Sequence, residues 1–307
     1  MILNIFFIVI GIVLVLWGAD RLTDGAVAVA EKMKMPQIVI GLTIVAMGTS
    51  MPEFCVSLIS ALKGTSDLAV GNIVGSNIFN TLLIVGVSAL VAPMSIMKTT
   101  VRKDIPFALV ASTLLLIMCL DGDISRIDGA ILFVMFLIFM YITLRGAKDQ
   151  GTDVEEKEKK PMATWLSIVW ILVGLACLIG GSNLFVDGAT AVATKLGVSE
   201  AVIGLTIVAG GTSLPELATS VVSARKGNSG IAIGNVLGSN VFNILAILGL
   251  TGVISPMTLK GITMTDLSMM VISIILIWLF SFTKYKIERW EGAILTAVFV
   301  GYIYSLL

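Results

Sequence analysis

Apolar residues along this chain come in long runs, without the polar face that a helix on a soluble protein would show to water every three or four residues. Stretches 68–97, 161–186 and 228–259 contain no charged residue at all. Each exceeds the ~20 residues that a helix needs to cross a bilayer's hydrocarbon. The dyad alternation of a membrane β-barrel is absent. Charged and Pro/Gly-containing junctions divide the chain into ten hydrophobic segments, roughly 2–30, 36–62, 68–92, 105–120, 128–145, 163–193, 199–224, 231–255, 266–283 and 289–306. The fold class expected is therefore an all-α integral membrane protein of ten transmembrane helices.

The pattern is written twice. Sliding the sequence by 163 residues aligns Gly18–Leu144 with Gly181–Leu307 without a gap. GLTIVAMGTSMPE (41–53) matches GLTIVAGGTSLPE (204–216) at eleven of thirteen positions, and GNIVGSNIFN (71–80) matches GNVLGSNVFN (234–243) at seven of ten. DGAIL at 128 and EGAIL at 291 keep the same offset. The expected organisation is a first five-helix unit (1–145), a linker (146–162) and a second five-helix unit (163–307). An odd number of spans per repeat inverts the second copy in the membrane.

Composition agrees with the runs. Of 307 residues 57% are hydrophobic and 13% charged, and mean hydropathy is +1.03. Net charge is zero and histidine is absent, so no basic nucleic-acid surface and no imidazole relay or metal cluster can be built. Cys55, Cys119 and Cys177 lie singly in apolar segments and are expected to be small buried hydrophobes. No P-loop is present, and an enzyme is not expected. The apolar start, 1–19, lacks the basic flank and cleavage site of a signal peptide and reads as the first membrane helix.

Charge sets the expected orientation. With an outside N-terminus, Lys32, Lys34, Lys98, Arg102, Lys103, Arg145, Lys148, Lys157, Lys159, Lys160, Arg225, Lys226, Lys284, Lys286 and Arg289 fall inside, and only Lys63, Arg126, Lys195 and Lys260 outside. Fifteen against four, with Arg21 uncounted, is a positive-inside bias. The expectation is a multi-pass cell-membrane protein with both termini outside and the charged linker in the cytoplasm.

Within this apolar frame two acids stand out. Glu53 and Glu216 each follow a proline near the middle of a segment with no basic residue beside them. A carboxylate at the bilayer centre costs at least ~2.5–3.5 kcal/mol, which makes an intramembrane acid a functional-site hypothesis by default. Pro52 and Pro215 interrupt helical bonding, and bare carbonyls are expected from about Ala46 and Ala209. Beside them lie the hydroxyls of Thr49, Ser50, Thr212 and Ser213. On the next helix Asn72, Ser76 and Asn80 are spaced by four and share a face, as do Asn235, Ser239 and Asn243. Gly71, Gly75, Gly234 and Gly238 are expected to admit a neighbouring backbone. All these donors are hard oxygens, suited to Ca2+ and Na+. Two carboxylates ~5 Å apart repel by roughly 3 kcal/mol at an effective dielectric of 20; one divalent ion, two protons or several monovalent ions would balance them. Asn72, Asn77, Asn235 and Asn240 suit helix packing at least as well as ligation. Asp24, near Arg21, and Asp187 are expected to be structural or interfacial.

At these residues the sequence resembles the cation/calcium exchanger superfamily, most closely the prokaryotic sodium/calcium exchangers, whose two alpha repeats carry the GTSxPE and GNxxGSNxxN signatures. The resemblance spans essentially the whole chain. It implies ten helices with broken second and seventh helices, long first and sixth helices sliding across the core, and alternating access. Carried over by motif position, the ion ligands would be Ala46, Thr49, Ser50, Glu53, Ser76 and Asn80, with Ala209, Thr212, Ser213, Glu216, Ser239 and Asn243. Where some members carry an aspartate late in the second motif this chain has Asn243, which bears on stoichiometry and potassium dependence.

The function expected is a secondary antiporter exchanging Ca2+ for Na+. Its partners are inorganic cations and the lipid bilayer, without a permanently bound cofactor, a nucleotide, a nucleic acid or an obligate protein partner. The alternatives are a Ca2+/H+ or K+-dependent cation antiporter and, further off, a passive cation channel. An intramembrane hydrolase is remote without a nucleophile and base.

Overall fold

A computed structural model describes residues 2–149, 162–197 and 209–306. The described residues are almost wholly helical. In order, the helices are α1 (Ile2–Met33), α2 (Gln37–Thr49), α3 (Met51–Leu62), α4 (Ser66–Val91), α5 (Thr100–Asp121), α6 (Arg126–Asp149), α7 (Thr164–Lys195), α8 (Ala209–Thr212), α9 (Leu214–Arg225), α10 (Ser229–Ile254), α11 (Met264–Ser281) and α12 (Arg289–Leu306). Among the described residues seven are long and apolar enough to span a membrane, or eight when the bent pair α2–α3 is taken as one span. The expected segment 199–224 is described only from Ala209 on; the rest of it, and linker residues 150–161, lie outside the described residues.

The order of layers inverts what polarity in water would give. Helices at least as apolar as the central pair are outermost: in α1, α5, α6, α7 and α11 only 22–33% of the spanning window is buried, against 72% in α4 and 94% in α10. The two helices richest in Asn, Ser and Gly thus form the centre, while large side chains such as Phe6, Ile138, Leu172 and Val300 face outward. Hydrocarbon as solvent accounts for this. Apolar surface gains nothing by leaving lipid, whereas polar groups must find partners inside the protein.

Close packing of the bundle relies on glycine. α1 and α7 run antiparallel with backbones in contact: a Cβ on Gly18 would lie 2.8 Å from the Gly174 carbonyl oxygen, and one on Gly181 would lie 2.8 Å from that of Gly11. Gly25 faces Ser167 and Gly188 faces Asn4 in the same register. Gly234 and Gly238 of α10 bring that helix equally close to Ile38–Leu42 of α2. The expected closeness at Gly71 and Gly75 has no comparable backbone partner among the described residues. Their counterparts of 38–42, residues 201–205, lie outside them.

Two features were not foreseen. Four two-residue strands tie the halves together reciprocally: β1 (Met94–Ser95) pairs antiparallel with β4 (Lys286–Ile287), and β2 (Asp123–Ile124) with β3 (Met257–Thr258). An ion cluster also fastens α1 to α9, with Lys226 Nζ 2.5 Å from Asp20 Oδ1 and 2.7 Å from Asp24 Oδ1. Arg21 pairs with Asp20 and stacks over Trp170. The Asp24–Arg21 pair expected from spacing is present at 3.6 Å. The cysteines correct the expectation of burial: only Cys119 is buried, Cys177 is intermediate and Cys55 is exposed, as a small thiol on a lipid-facing helix surface can be.

Candidate ion-binding site

The two proline motifs make the same local structure. Pro52 falls in the first turn of α3 and Pro215 in that of α9. The preceding Ser50 (φ −84°, ψ 10°) and Ser213 (φ −88°, ψ 8°) leave helical geometry. Proline has no N–H to offer the carbonyl four residues back, so α2 and α3 meet at a bend of 49°. The expectation of a bare Ala46 carbonyl needs correction: it accepts the Ser50 N–H at 3.0 Å and lies 3.3 Å from the Thr49 hydroxyl. The carbonyl that each proline orphans is two residues further on, at Gly48 and Gly211, and Ser182 of α7 donates its hydroxyl to the latter.

The breaks face one another and exchange hydrogen bonds. Ser50 Oγ donates to Glu216 Oε1 at 2.9 Å, and Ser213 Oγ donates to Glu53 Oε1 at 3.0 Å. Thr212 stands beside Glu53, and Thr49 and Ser239 beside Glu216. Ser76 Oγ lies 3.0 Å from Ser213 Oγ, and Asn243 Nδ2 reaches Ser76 Oγ at 3.3 Å. Asn80 joins through Asn240. Both glutamates are fully buried, and none of the ion pairs among the described residues involves them.

The distal asparagines owe their direction to the helix itself. Phe79–Ile84 and Phe242–Leu248 are π-helical turns, each opening within one residue of the last Asn of its motif. The wider turn rotates the following face relative to an α-helix. Among the described residues, five motif oxygens are buried without a hydrogen-bond partner: Glu53 Oε2, Glu216 Oε2, Asn80 Oδ1, Asn243 Oδ1 and Ser239 Oγ. Unpaired buried acceptors are costly. Their convergence from both halves makes an oxygen cage of the chemistry that holds Ca2+ or Na+. Of the residues expected as ligands, Ala46 has a carbonyl that already accepts the Ser50 N–H, and Ala209 opens α8.

Asn72 and Asn235 serve the breaks rather than the cage. Asn72 Nδ2 donates to the Glu53 carbonyl (3.2 Å) and to Ser57 Oγ (2.9 Å). Asn235 Nδ2 donates to the Glu216 carbonyl (3.3 Å) and Ser220 Oγ (3.0 Å), and its Oδ1 receives Thr49 Oγ1 at 3.0 Å. Ser57 and Ser220 were not singled out from sequence, although the 163-residue offset that links them was visible. Asn235→Leu is expected to cost about 2–3 kcal/mol, with Asn72→Leu nearer 1–2 because Asn235 is fully buried and Asn72 only partly so. Thermal unfolding of the purified variants in detergent checks the order.

The family described as "Sodium/calcium exchanger protein" matches residues 3–145 and 166–307. The inner membrane protein YrbG of Escherichia coli is 37% identical, over 100% of this chain and 97% of YrbG. The sodium/calcium exchanger MaX1 of Methanosarcina acetivorans is 32% identical over 99% of this chain and 98% of its own. Among solved structures, the sodium-calcium exchanger NCX_Mj soaked with zero Na+ and Ca2+ superposes with a TM-score of 0.88 at 32% identity, covering 100% of this chain and 99% of that one.

Proposed function

The chain belongs to the sodium/calcium exchanger family, and on that premise we propose that it exports Ca2+ from the cytoplasm in exchange for entering Na+ by alternating access. The observation that carries this reading is that, among the described residues, five of the buried, unpartnered oxygens on the two broken helices and the helices that follow them belong to Glu53, Glu216, Asn80, Asn243 and Ser239 of the repeated motifs. Two of the oxygens belong to carboxylates that repel each other unless a cation lies between them. One Ca2+ balances both charges at once. Na+ competes for the same oxygens one charge at a time, so occupancy by one ion excludes the other, which is the requirement for exchange.

The ligands in this reading are Glu53 and Glu216 as the charged pair, with Thr49, Ser50, Ser76, Asn80, Thr212, Ser213, Ser239 and Asn243 as neutral oxygens and the backbone at Ala46 and Ala209 nearby. The architecture is ten spans in two inverted five-helix units, 1–145 and 163–307. The antiparallel packing of the sequence-equivalent helices α1 and α7 supports inversion, as do the reciprocal strand pairs. In this reading both termini face outward and the 146–162 linker is cytoplasmic, which the distribution of Lys and Arg supports.

Coupling is tested in proteoliposomes with one gradient at a time. An outwardly directed Na+ gradient is expected to drive 45Ca uptake, and a pH gradient in Na+-free medium to drive none. Uptake with the pH gradient alone would replace this reading by Ca2+/H+ antiport. Calcium flux indifferent to Na+ on the opposite side would replace it by a passive pore. More than two Na+ per Ca2+ would appear as a transport current.

A further inference from the structure

An asparagine ligand can present a cation with either its amide oxygen, which binds, or its NH2 group, which repels. In this protein the choice is made by residues behind the cage. Asn80 Nδ2 donates to Asn240 Oδ1 at 3.1 Å, and Asn243 Nδ2 donates to Asn77 Oδ1 at 3.0 Å. The last asparagine of each motif is thus held by the middle asparagine of the other, and both ligand Oδ1 atoms are left without a partner among the described residues.

The middle pair is in turn fixed by groups that can act in only one way. Asn77 Nδ2 donates to the backbone carbonyl of Asn240 at 3.2 Å, with Met270 Sδ at 4.0 Å. A carbonyl only accepts, so Asn77 must turn its oxygen to Asn243. Asn240 Nδ2 donates to Thr81 Oγ1 at 2.7 Å, while Thr81 commits its single proton to the Asn77 carbonyl, also at 2.7 Å. Only lone pairs remain on that hydroxyl for Asn240, which must turn its oxygen to Asn80. Asn77, Thr81 and Asn240 are all essentially inaccessible, so water cannot substitute for a lost partner.

We propose that Asn77, Asn240 and Thr81 are positioning residues that lock the amide oxygens of Asn80 and Asn243 toward the transported ion. The proposal rests on the ligand assignment above. The lock is unequal between the halves. The repeat equivalent of Thr81 is Ile244, so the Asn77 arm is set by backbone and the Asn240 arm by one hydroxyl.

Thr81→Val keeps the shape and removes the acceptor. In Na+-driven 45Ca uptake by proteoliposomes it is expected to raise KM for Ca2+ by roughly tenfold, the order of one buried polar group losing its partner, with maximal rate little changed. Thr81→Ser is expected to restore KM. If Thr81→Val does not insert, Thr81→Ala reads the same lost acceptor. A carboxylate has no NH2 face to misplace, so in an Asn80→Asp background Thr81→Val is expected to leave KM unchanged or to lower it, because Asn240 is then free to turn its NH2 toward the acid. A wild-type KM in Thr81→Val, or the same penalty in both backgrounds, would overturn the proposal. Loss of uptake in Glu53→Gln beside a wild-type KM in Thr81→Val would discard the positioning role alone; normal uptake in Glu53→Gln would discard the ligand assignment beneath it.

Discussion

Glu53→Gln and Glu216→Gln are each expected to lower Na+-driven Ca2+ uptake by more than about a hundredfold while leaving the protein folded. Glutamine has the shape of the acid and keeps an oxygen to accept the Ser213 or Ser50 hydroxyl, so the break itself survives. What it removes is one of two charges. With a divalent ion the pair is electrically neutral; with one charge gone a net positive charge is left among fully buried side chains, and a net loss of ~2.7 kcal/mol already gives a hundredfold. The new NH2 group adds a donor where the cage needs acceptors. Glutamate-to-aspartate changes keep the charge and shorten the reach, and are expected to fall between. Near wild-type uptake in both glutamine variants, measured with equal amounts of inserted protein, would refute the site.

The second large effect is steric. A side chain at Gly238 would place its Cβ 2.6 Å from both the Cα and the carbonyl oxygen of Leu42, and one at Gly18 would lie 2.8 Å from the Gly174 oxygen. Neither neighbour is a flexible side-chain tip; both are helix backbone, so whole helices must separate. Gly238→Val and Gly18→Val are expected to destabilise by about 3 kcal/mol or more, at or beyond the upper end of overpacking in well-packed interiors. The corresponding alanines are expected to cost about 1–3 kcal/mol. In lipid no hydrophobic term offsets the loss of close approach. Gly301 has no neighbour within 4 Å among the described residues. Gly301→Ala is expected to be neutral or to stabilise by up to ~1 kcal/mol through helix propensity. Size-exclusion profiles and melting temperatures in one detergent check all of these, and equal behaviour of Gly238→Ala and Gly301→Ala would refute the packing account.

Several parts of the site were legible in the chain because repetition in register removes chance. Glu53 and Glu216 were visible as acids in hydrocarbon-length segments, and Pro52 and Pro215 as breaks. Ser50 and Ser213 were visible as neighbours of those breaks, but not as donors to the acid of the opposite half. That partnership joins residues 166 and 160 positions apart, and no local rule reaches so far. The Ala46 carbonyl was expected bare and instead accepts the Ser50 N–H, since proline orphans the carbonyl four residues back and leaves the adjacent turn intact. Asn77 and Asn240 were read as suiting helix packing at least as well as ligation, and their hold on Asn80 and Asn243 depends on two helices crossing at one depth.

Sequence by itself determined that this chain lives in a membrane, that it is one pattern written twice, and which oxygens could meet a hard cation. These follow from properties of segments: length against bilayer thickness, the cost of an isolated charge, the missing N–H of proline. Tertiary structure alone decided that the polar helices are innermost, that each half completes the other's carboxylate, and which oxygens remain unpartnered. Hydrogen bonding is short-ranged and directional, so its outcome is set by where helices cross and how far a π-helical turn rotates a face, and neither quantity is written in any single stretch of residues.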